Sequence, residues 1–113
     1  MPFLTVYTNV EIKNSEELAE KSAQIVVNAL YKPINYVVTN IVYNKAMSFA
    51  GKSNQKGALV EVLSIGFNNK ELLISALTDL LERELQIENS RNINISLIDA
   101  KASNVASGGK TFG

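Results

Sequence analysis

Pro2 is the residue of this chain whose type and position are best suited to proton transfer. It follows Met1 and precedes an apolar segment at residues 3–7, which predicts a buried strand. Removal of Met1 would leave Pro2 as a secondary amine, held in place by its own ring and by that strand. An α-amine titrates near ~8 in model peptides, and burial or a nearby cation lowers that value because both disfavour the charged form. Pro2 is therefore a candidate general base in a chain that has no histidine.

Lys32 is the candidate for a cation beside this amine. It lies at the end of the first predicted helix, in the loop that enters the second predicted strand. One interpretation is helix capping, because a cation interacts favourably with the carboxyl end of a helix. The other is that Lys32 binds a substrate carboxylate and lowers the pKa of the neighbouring amine. Glu61, inside another apolar segment, is expected to pair with a lysine, although solvent exposure or a chemical role is also compatible with its position.

The composition excludes several other classes of chemistry. The 113 residues include 11 basic and 11 acidic side chains and no cysteine. The balanced charge gives no sign of nucleic-acid or anionic-membrane binding. Without cysteine or histidine there are no disulfides, no thiol nucleophiles and no ordinary zinc site, so we expect neither a metal nor a cofactor. The absence of a basic segment followed by an apolar one predicts no signal peptide, which makes the cytoplasm the expected compartment.

The elements that must position these residues follow a strand-helix-strand pattern that occurs twice in the sequence. Strands are predicted at residues 3–7, 36–43, 58–65 and 93–98. A helix with an apolar face separates the first two strands, and a second such helix separates the last two. Asn14 and Asn68 are each followed by a Glu three positions later, an N-terminal helix signal, and we therefore predict that they are equivalent. The first helix is expected to end at Lys32-Pro33.

Two β-α-β units predict an α/β (α+β) fold, a single domain over residues 1–113. Long crossovers favour parallel pairing within each unit, which gives a four-stranded sheet with two helices on one face. The strands contain near-continuous apolar residues, including Val38, Val42, Val60 and Val62, which indicates burial on both sheet faces. The second face is covered either by partner chains, which we expect, or by residues 44–57 and 101–113.

Several short motifs, in their order and spacing, are similar to those of one protein family across essentially the whole chain. They are Met1-Pro2 with Thr8-Asn9-Val10, Lys32-Pro33 followed by Tyr36, Met47-Ser48-Phe49-Ala50-Gly51, Ser64-Ile65-Gly66, Asn104-Val105 and Thr111-Phe112. The chain resembles the macrophage migration inhibitory factor family, within the N-terminal-proline tautomerase superfamily.

The resemblance implies a tautomerase-like homotrimer with active sites at its subunit boundaries, and keto–enol tautomerisation of phenylpyruvate-like acids. It implies that Pro2 is the catalytic base and that Lys32 and the Ile65 backbone bind the carboxylate. Apolar residues would form the pocket for the aryl group. The full set of substrate-binding residues that it implies is Lys32, Ile65, Ser64, Phe3, Tyr36, Asn94, Ser96, Val105 and Phe112.

Three positions depart from the animal cytokines of that family. Asn94 and Ser96 occupy the positions of a tyrosine and an asparagine on the last strand, and Ser107 replaces an aromatic residue. These departures favour an alternative, a signalling or binding protein with weak or vestigial tautomerase activity and a receptor that the sequence does not identify. A small-molecule-sensing domain of ferredoxin-like topology would also explain the repeat, but it gives no reason for Pro2.

Overall fold

The computed structural model describes all residues, 1–113. Its main elements alternate strand, helix and strand twice, and a small hairpin follows. They are β1 (Phe3–Thr8), α1 (Ser15–Leu30), β2 (Val38–Tyr43), β3 (Ala58–Ser64), α2 (Lys70–Leu85), β4 (Ile93–Asp99), β5 (Ala106–Ser107) and β6 (Lys110–Thr111). Neither helix has the length and apolar character needed to span a membrane.

The sheet has the strand order β2-β1-β3-β4, so the two β-α-β units lie side by side. Pairing is parallel between β1 and β2 and between β3 and β4, whereas the central pair, β1 and β3, is antiparallel. The sequence-based prediction of a four-stranded sheet carrying two helices on one face is confirmed.

The residue that caps α2 differs from the one predicted by comparing the two units. The Asn14 side chain accepts a hydrogen bond from the Glu17 amide at 3.0 Å, and the residue that does the same for α2 is Asn69, whose partner is the Leu72 amide at 3.1 Å. The prediction that Asn68 caps α2 is therefore wrong by one position. The Asn68 side chain instead donates to the Leu30 carbonyl, at the carboxyl end of α1.

Two further boundaries differ from the sequence-based prediction. Helix α1 ends at Leu30, before Lys32-Pro33, because Tyr31 adopts a left-handed conformation and its amide closes the last turn on Val27. Tyr36 was expected inside the second strand, but it lies in a 3-10 turn over Ile34–Tyr36. That turn places Tyr36 at the entrance of β2 rather than within the sheet.

The core lies between the helices and one sheet face. Strand β3 alternates buried and exposed side chains, so Val60 and Val62 face the helices whereas Glu61 faces away. Within a single chain β3 is therefore buried on one face only, and the cover of its other face by partner chains stays a prediction. Glu61 is exposed and forms no ion pair; the salt bridges of the chain join Lys21 to acidic residues of the helices.

The second sheet face is not covered within the chain. Val38 is 53% exposed and Leu59 44% exposed on this face, and Ile98 of β4 is similarly open. The segments at residues 44–57 and 101–113 leave these side chains accessible. We call this surface, formed by the outward side chains of the four strands, the open face.

Candidate active site

Pro2 lies at the edge of the sheet where the chain enters its central strand. Its side chain is buried on the helix-facing side, in alternation with Phe3 on the open face and Leu4 in the core. The Pro2 carbonyl accepts a hydrogen bond from the Val38 amide at 3.1 Å, which ties it to the start of β2. Burial and backbone pairing therefore fix the nitrogen of Pro2 in position.

Lys32 reaches this edge from the carboxyl end of α1. Its Nζ donates to the Ile65 carbonyl oxygen at 3.0 Å. The carbonyl of Leu30, at the end of the helix, is bound by Asn68 instead. This geometry argues against helix capping by Lys32, and the binding of a substrate carboxylate by Lys32 stays a prediction.

The amine of Met1, the residue before Pro2, has a shifted protonation equilibrium. Burial, and secondly the positive charge of Lys32, lower the pKa of the Met1 amine below its ordinary value. Both effects disfavour a charged amine at the start of the chain.

Tyr36, Phe112 and Val105 come together where the carboxyl-terminal segment meets the turn before β2, and we call this group the apolar wall. The rings of Tyr36 and Phe112 meet edge to face, with centroids 5.7 Å apart and an interplanar angle of 87°. The Phe112 amide donates to the carbonyl of the buried Val105 at 3.0 Å. The carboxyl-terminal segment is thereby held against the turn that precedes β2.

Ser64 lies at the same end of the sheet, as the last residue of β3. The register of β1 with β3 pairs Phe3 with Leu63, so one position further out Pro2 lies opposite Ser64. Ser64 is fully buried, and its backbone carbonyl accepts from the Ala100 amide at 2.9 Å.

Three residues implied by the resemblance do not join Pro2 on this face. The open face carries the exposed side chains of Asn94 and Ser96 and the partly buried side chain of Phe3. Ser64 is paired with Asp99, and Asn94 lies five residues before Asp99, roughly 16 Å away along the strand at ~3.3 Å per residue. Within one chain, Asn94 and Ser96 are therefore separated from the Pro2 edge.

Asp99 is a contributor that the sequence-based analysis missed. Its carboxylate accepts a hydrogen bond from the Gly66 amide at 3.0 Å, and Gly66 has a positive φ of 79°. This contact holds the turn that carries Ile65. The two residues are 33 positions apart, so no local sequence pattern indicates that they meet.

Comparisons with known proteins agree with this architecture. The model of the family described as Macrophage migration inhibitory factor (MIF) matches residues 1–113. A macrophage migration inhibitory factor homolog of Brugia malayi is 34% identical over 119 aligned positions that span 100% of both chains.

Solved structures show the same fold. The macrophage migration inhibitory factor of Toxoplasma gondii superposes with a TM-score of 0.87 at 25% identity, covering 97% of this chain and 99% of its own. A macrophage migration inhibitory factor-like protein of Entamoeba histolytica gives a TM-score of 0.84 at 27% identity, with 98% of both chains covered. A trimer is typical of proteins with this fold.

Proposed function

The chain belongs to the macrophage migration inhibitory factor family, and on this premise we propose that it is a cofactor-independent keto–enol tautomerase of phenylpyruvate-like aryl 2-oxo acids. The general base is Pro2 after removal of Met1. The observation that carries the proposal is the meeting of Lys32 and the Ile65 backbone at the edge where the chain begins, because an amine at that edge has a lowered pKa.

The proposed reaction needs only proton transfers. Neutral Pro2 takes a proton from the carbon next to the carbonyl, or from the enol oxygen, and returns it at the other end of the conjugated system. A positioned base of this kind contributes roughly 10²–10⁴-fold to the rate. No oxidation or reduction takes place, and the enol is stabilised by conjugation with the substrate carboxylate and aryl ring.

Lys32 is proposed to bind the substrate carboxylate. An ammonium group has three N–H donors, and the Ile65 carbonyl uses one of them, so donors are left for an anionic ligand. The same positive charge keeps Pro2 unprotonated near neutral pH. The wall formed by Tyr36, Val105 and Phe112 receives the aryl group and excludes water, which strengthens these electrostatic effects.

The proposed active form is a homotrimer with its sites at subunit boundaries. Exposed apolar side chains on the open face, Val38 and Leu59 among them, support burial of that face against other copies of the chain. Asn94 and Ser96 lie on the same face, far from the Pro2 of their own chain. They would act on the substrate of a neighbouring subunit, where either side chain or a water molecule stabilises the charge on the substrate oxygen.

The proposal is tested by assaying purified protein with phenylpyruvate, after intact-mass measurement has confirmed that it begins at Pro2. Pro2→Gly should lose most of the activity while keeping its circular dichroism spectrum and oligomeric state. A form that retains Met1 should also be inactive, because its Pro2 nitrogen is an amide. Equal activity in the mature protein and in Pro2→Gly would remove Pro2 from the mechanism.

The second candidate function is a signalling or binding protein with weak, vestigial activity. The specific observation in its favour is the set of polar residues Asn94, Ser96 and Ser107, which departs from the cytokine pattern. The same assay separates the two functions, since a vestigial enzyme would turn over phenylpyruvate slowly and Pro2→Gly would change that rate little.

A further inference from the structure

The Ser64 hydroxyl is the one buried side-chain polar atom in this chain that has no hydrogen-bond partner. Its side chain is 0% exposed, at the end of a strand whose inward neighbours are the core residues Val60 and Val62. A buried hydroxyl without a partner is unfavourable, and such a group in a native protein requires an explanation. The other fully buried serine, Ser22, does have a partner, because its hydroxyl donates to the Leu18 carbonyl at 2.8 Å.

The residue that faces Ser64 across the sheet is Pro2. Continuing the antiparallel register of β1 and β3 by one position beyond Phe3 and Leu63 brings Pro2 and Ser64 opposite each other. Both side chains are buried on the helix-facing side of the sheet. Directly opposite side chains on one face of an antiparallel pair have their β-carbons about 5 Å apart. The buried ring of Pro2 is therefore the group that lies across from this hydroxyl.

The Pro2 nitrogen cannot pair with this hydroxyl while Met1 is attached. While Met1 is attached, the Pro2 nitrogen belongs to a tertiary amide, which has no hydrogen to donate. After Met1 is removed, the same atom is a secondary amine that donates and accepts. We propose that the Ser64 hydroxyl is the hydrogen-bond partner of the mature Pro2 nitrogen and acts as a positioning residue for the base. This inference rests on the proposed function of Pro2.

The proposed contact orients the two N–H hydrogens of protonated Pro2. Protonated Pro2 carries two N–H hydrogens, one taken from the substrate and one that was there before. The Ser64 oxygen accepts the second, which leaves the transferred hydrogen pointing at the substrate. When that proton returns to the substrate, the neutral amine keeps its own N–H and its contact with Ser64. Hydrogen bonds that involve a charged partner are the stronger ones, so Ser64 stabilises the protonated form and raises the pKa of Pro2.

Three other ionisable groups lie around Pro2 and Ser64, and a substitution of Ser64 does not change them. Lys32 approaches from the end of α1, Asp99 lies across from Ser64 on β4, and Tyr36 lies in the turn before β2. Lys32 is the second cause, after burial, of the lowered pKa of the neighbouring Met1 amine. A change at Ser64 leaves all three in place, so the difference between variants reports the hydroxyl alone.

The experiment is titration of the Pro2 nitrogen by NMR in mature protein labelled with ¹⁵N-proline, with no substrate present. Ser64→Ala should move the protonation equilibrium of Pro2 roughly tenfold towards the neutral form, a fall in its pKa. Ser64→Cys, which keeps the volume but is a poor hydrogen-bond partner, should give the same direction. With phenylpyruvate, kcat should fall several-fold while KM stays unchanged. Ser22→Ala, the matched buried serine, should leave both the Pro2 pKa and kcat unchanged.

Two results would overturn this inference. One is an unchanged Pro2 pKa in both Ser64 variants. The other is a raised KM at constant kcat, which would show that Ser64 binds the substrate carboxylate instead. Because the titration needs no turnover, it is separate from the proposed function. A protein in which Pro2→Gly is fully active refutes the function, whereas loss of activity in Pro2→Gly with no titration response to Ser64 refutes only the positioning role.

Discussion

Lys32 Nζ lies 3.0 Å from the carbonyl oxygen of Ile65, a contact between residues 33 positions apart. It joins the loop after the first helix to the end of the third strand. The cation is thereby fixed at the edge of the sheet where Pro2 begins the central strand. Burial first, and this positive charge second, lower the pKa of the Met1 amine, because both disfavour its protonated form.

Lys32→Met should weaken substrate binding and shift the pH dependence of the enzyme. Methionine keeps the length of the side chain but removes the charge that the carboxylate needs, so KM for phenylpyruvate should rise about tenfold or more, equivalent to at least ~1.4 kcal/mol. The pKa of Pro2 should rise, because a positive charge that disfavoured its protonated form is gone. The rising limb of kcat/KM, measured as a function of pH, should therefore move to higher pH.

Lys45→Met is the matched control, because Lys45 is exposed just beyond the far end of β2. It should leave KM and the pH profile unchanged. If the kinetics of Lys32→Met were also unchanged, the role of Lys32 would be purely structural.

Phe112→Ala should reduce the preference for aryl substrates. The ring of Phe112 meets that of Tyr36 at 5.7 Å, and such aromatic pairs contribute about 0.5–1.5 kcal/mol beyond their burial. KM for phenylpyruvate should rise roughly two- to tenfold. Deuterium exchange at the carbon next to the carbonyl of an alkyl 2-oxo acid should change less, because that substrate has no ring to place against the wall.

Tyr31→Asn serves as the control for loss of an exposed aromatic ring. Tyr31 is 75% exposed and has a positive φ, a conformation that asparagine tolerates. Its substrate preference should match that of the parent protein. Equal losses for aryl and alkyl substrates in Phe112→Ala would show that Phe112 supports the fold rather than the aryl pocket.

Most of the fold was predictable from local sequence patterns, because each helix and strand carries its own periodicity. The error at the start of α2 occurred where two adjacent residues carry the same signal. Asn68 and Asn69 are both good capping residues, and only the burial of Leu73, rather than Leu72, decides which one begins the helix. The link between Lys32 and Ile65 was suggested only by resemblance, and the unpaired hydroxyl of Ser64 has no sequence signal, because both depend on the packing of distant segments.

The assignment of Asn69 as the cap of α2 is tested by its effect on stability. Asn69→Ala removes the side chain that accepts from the Leu72 amide, so the free energy of unfolding should fall by about 1 kcal/mol. Asn14→Ala should cost a similar amount, because it caps α1 in the same way. Both are measured by urea denaturation. Asn54→Ala, in an exposed loop, should change stability little, and an equally small effect in Asn69→Ala would contradict its assignment as the cap.

Leu59→Asp should prevent assembly of the subunits. Leu59 is 44% exposed in the isolated chain and lies on the open face near the start of β3, between Tyr7 of β1 and Asn94 of β4. If this face is buried between subunits, a carboxylate there loses its water without gaining a partner, which is costly. Light scattering coupled to size-exclusion chromatography should show a monomer with native circular dichroism.

Leu72→Asp provides a closely matched comparison, because Leu72 is 43% exposed but lies on the outer surface of α2. The same change of charge and hydrophobicity at that position should leave the trimer intact. Activity should follow assembly, since Asn94 and Ser96 are too far from the Pro2 of their own chain to contribute to its site. Leu59→Asp should therefore be nearly inactive although Pro2, Lys32 and Ile65 are untouched. A Leu59→Asp protein that stays trimeric would place the subunit contact elsewhere, whereas a fully active monomer would show that one chain holds the complete site.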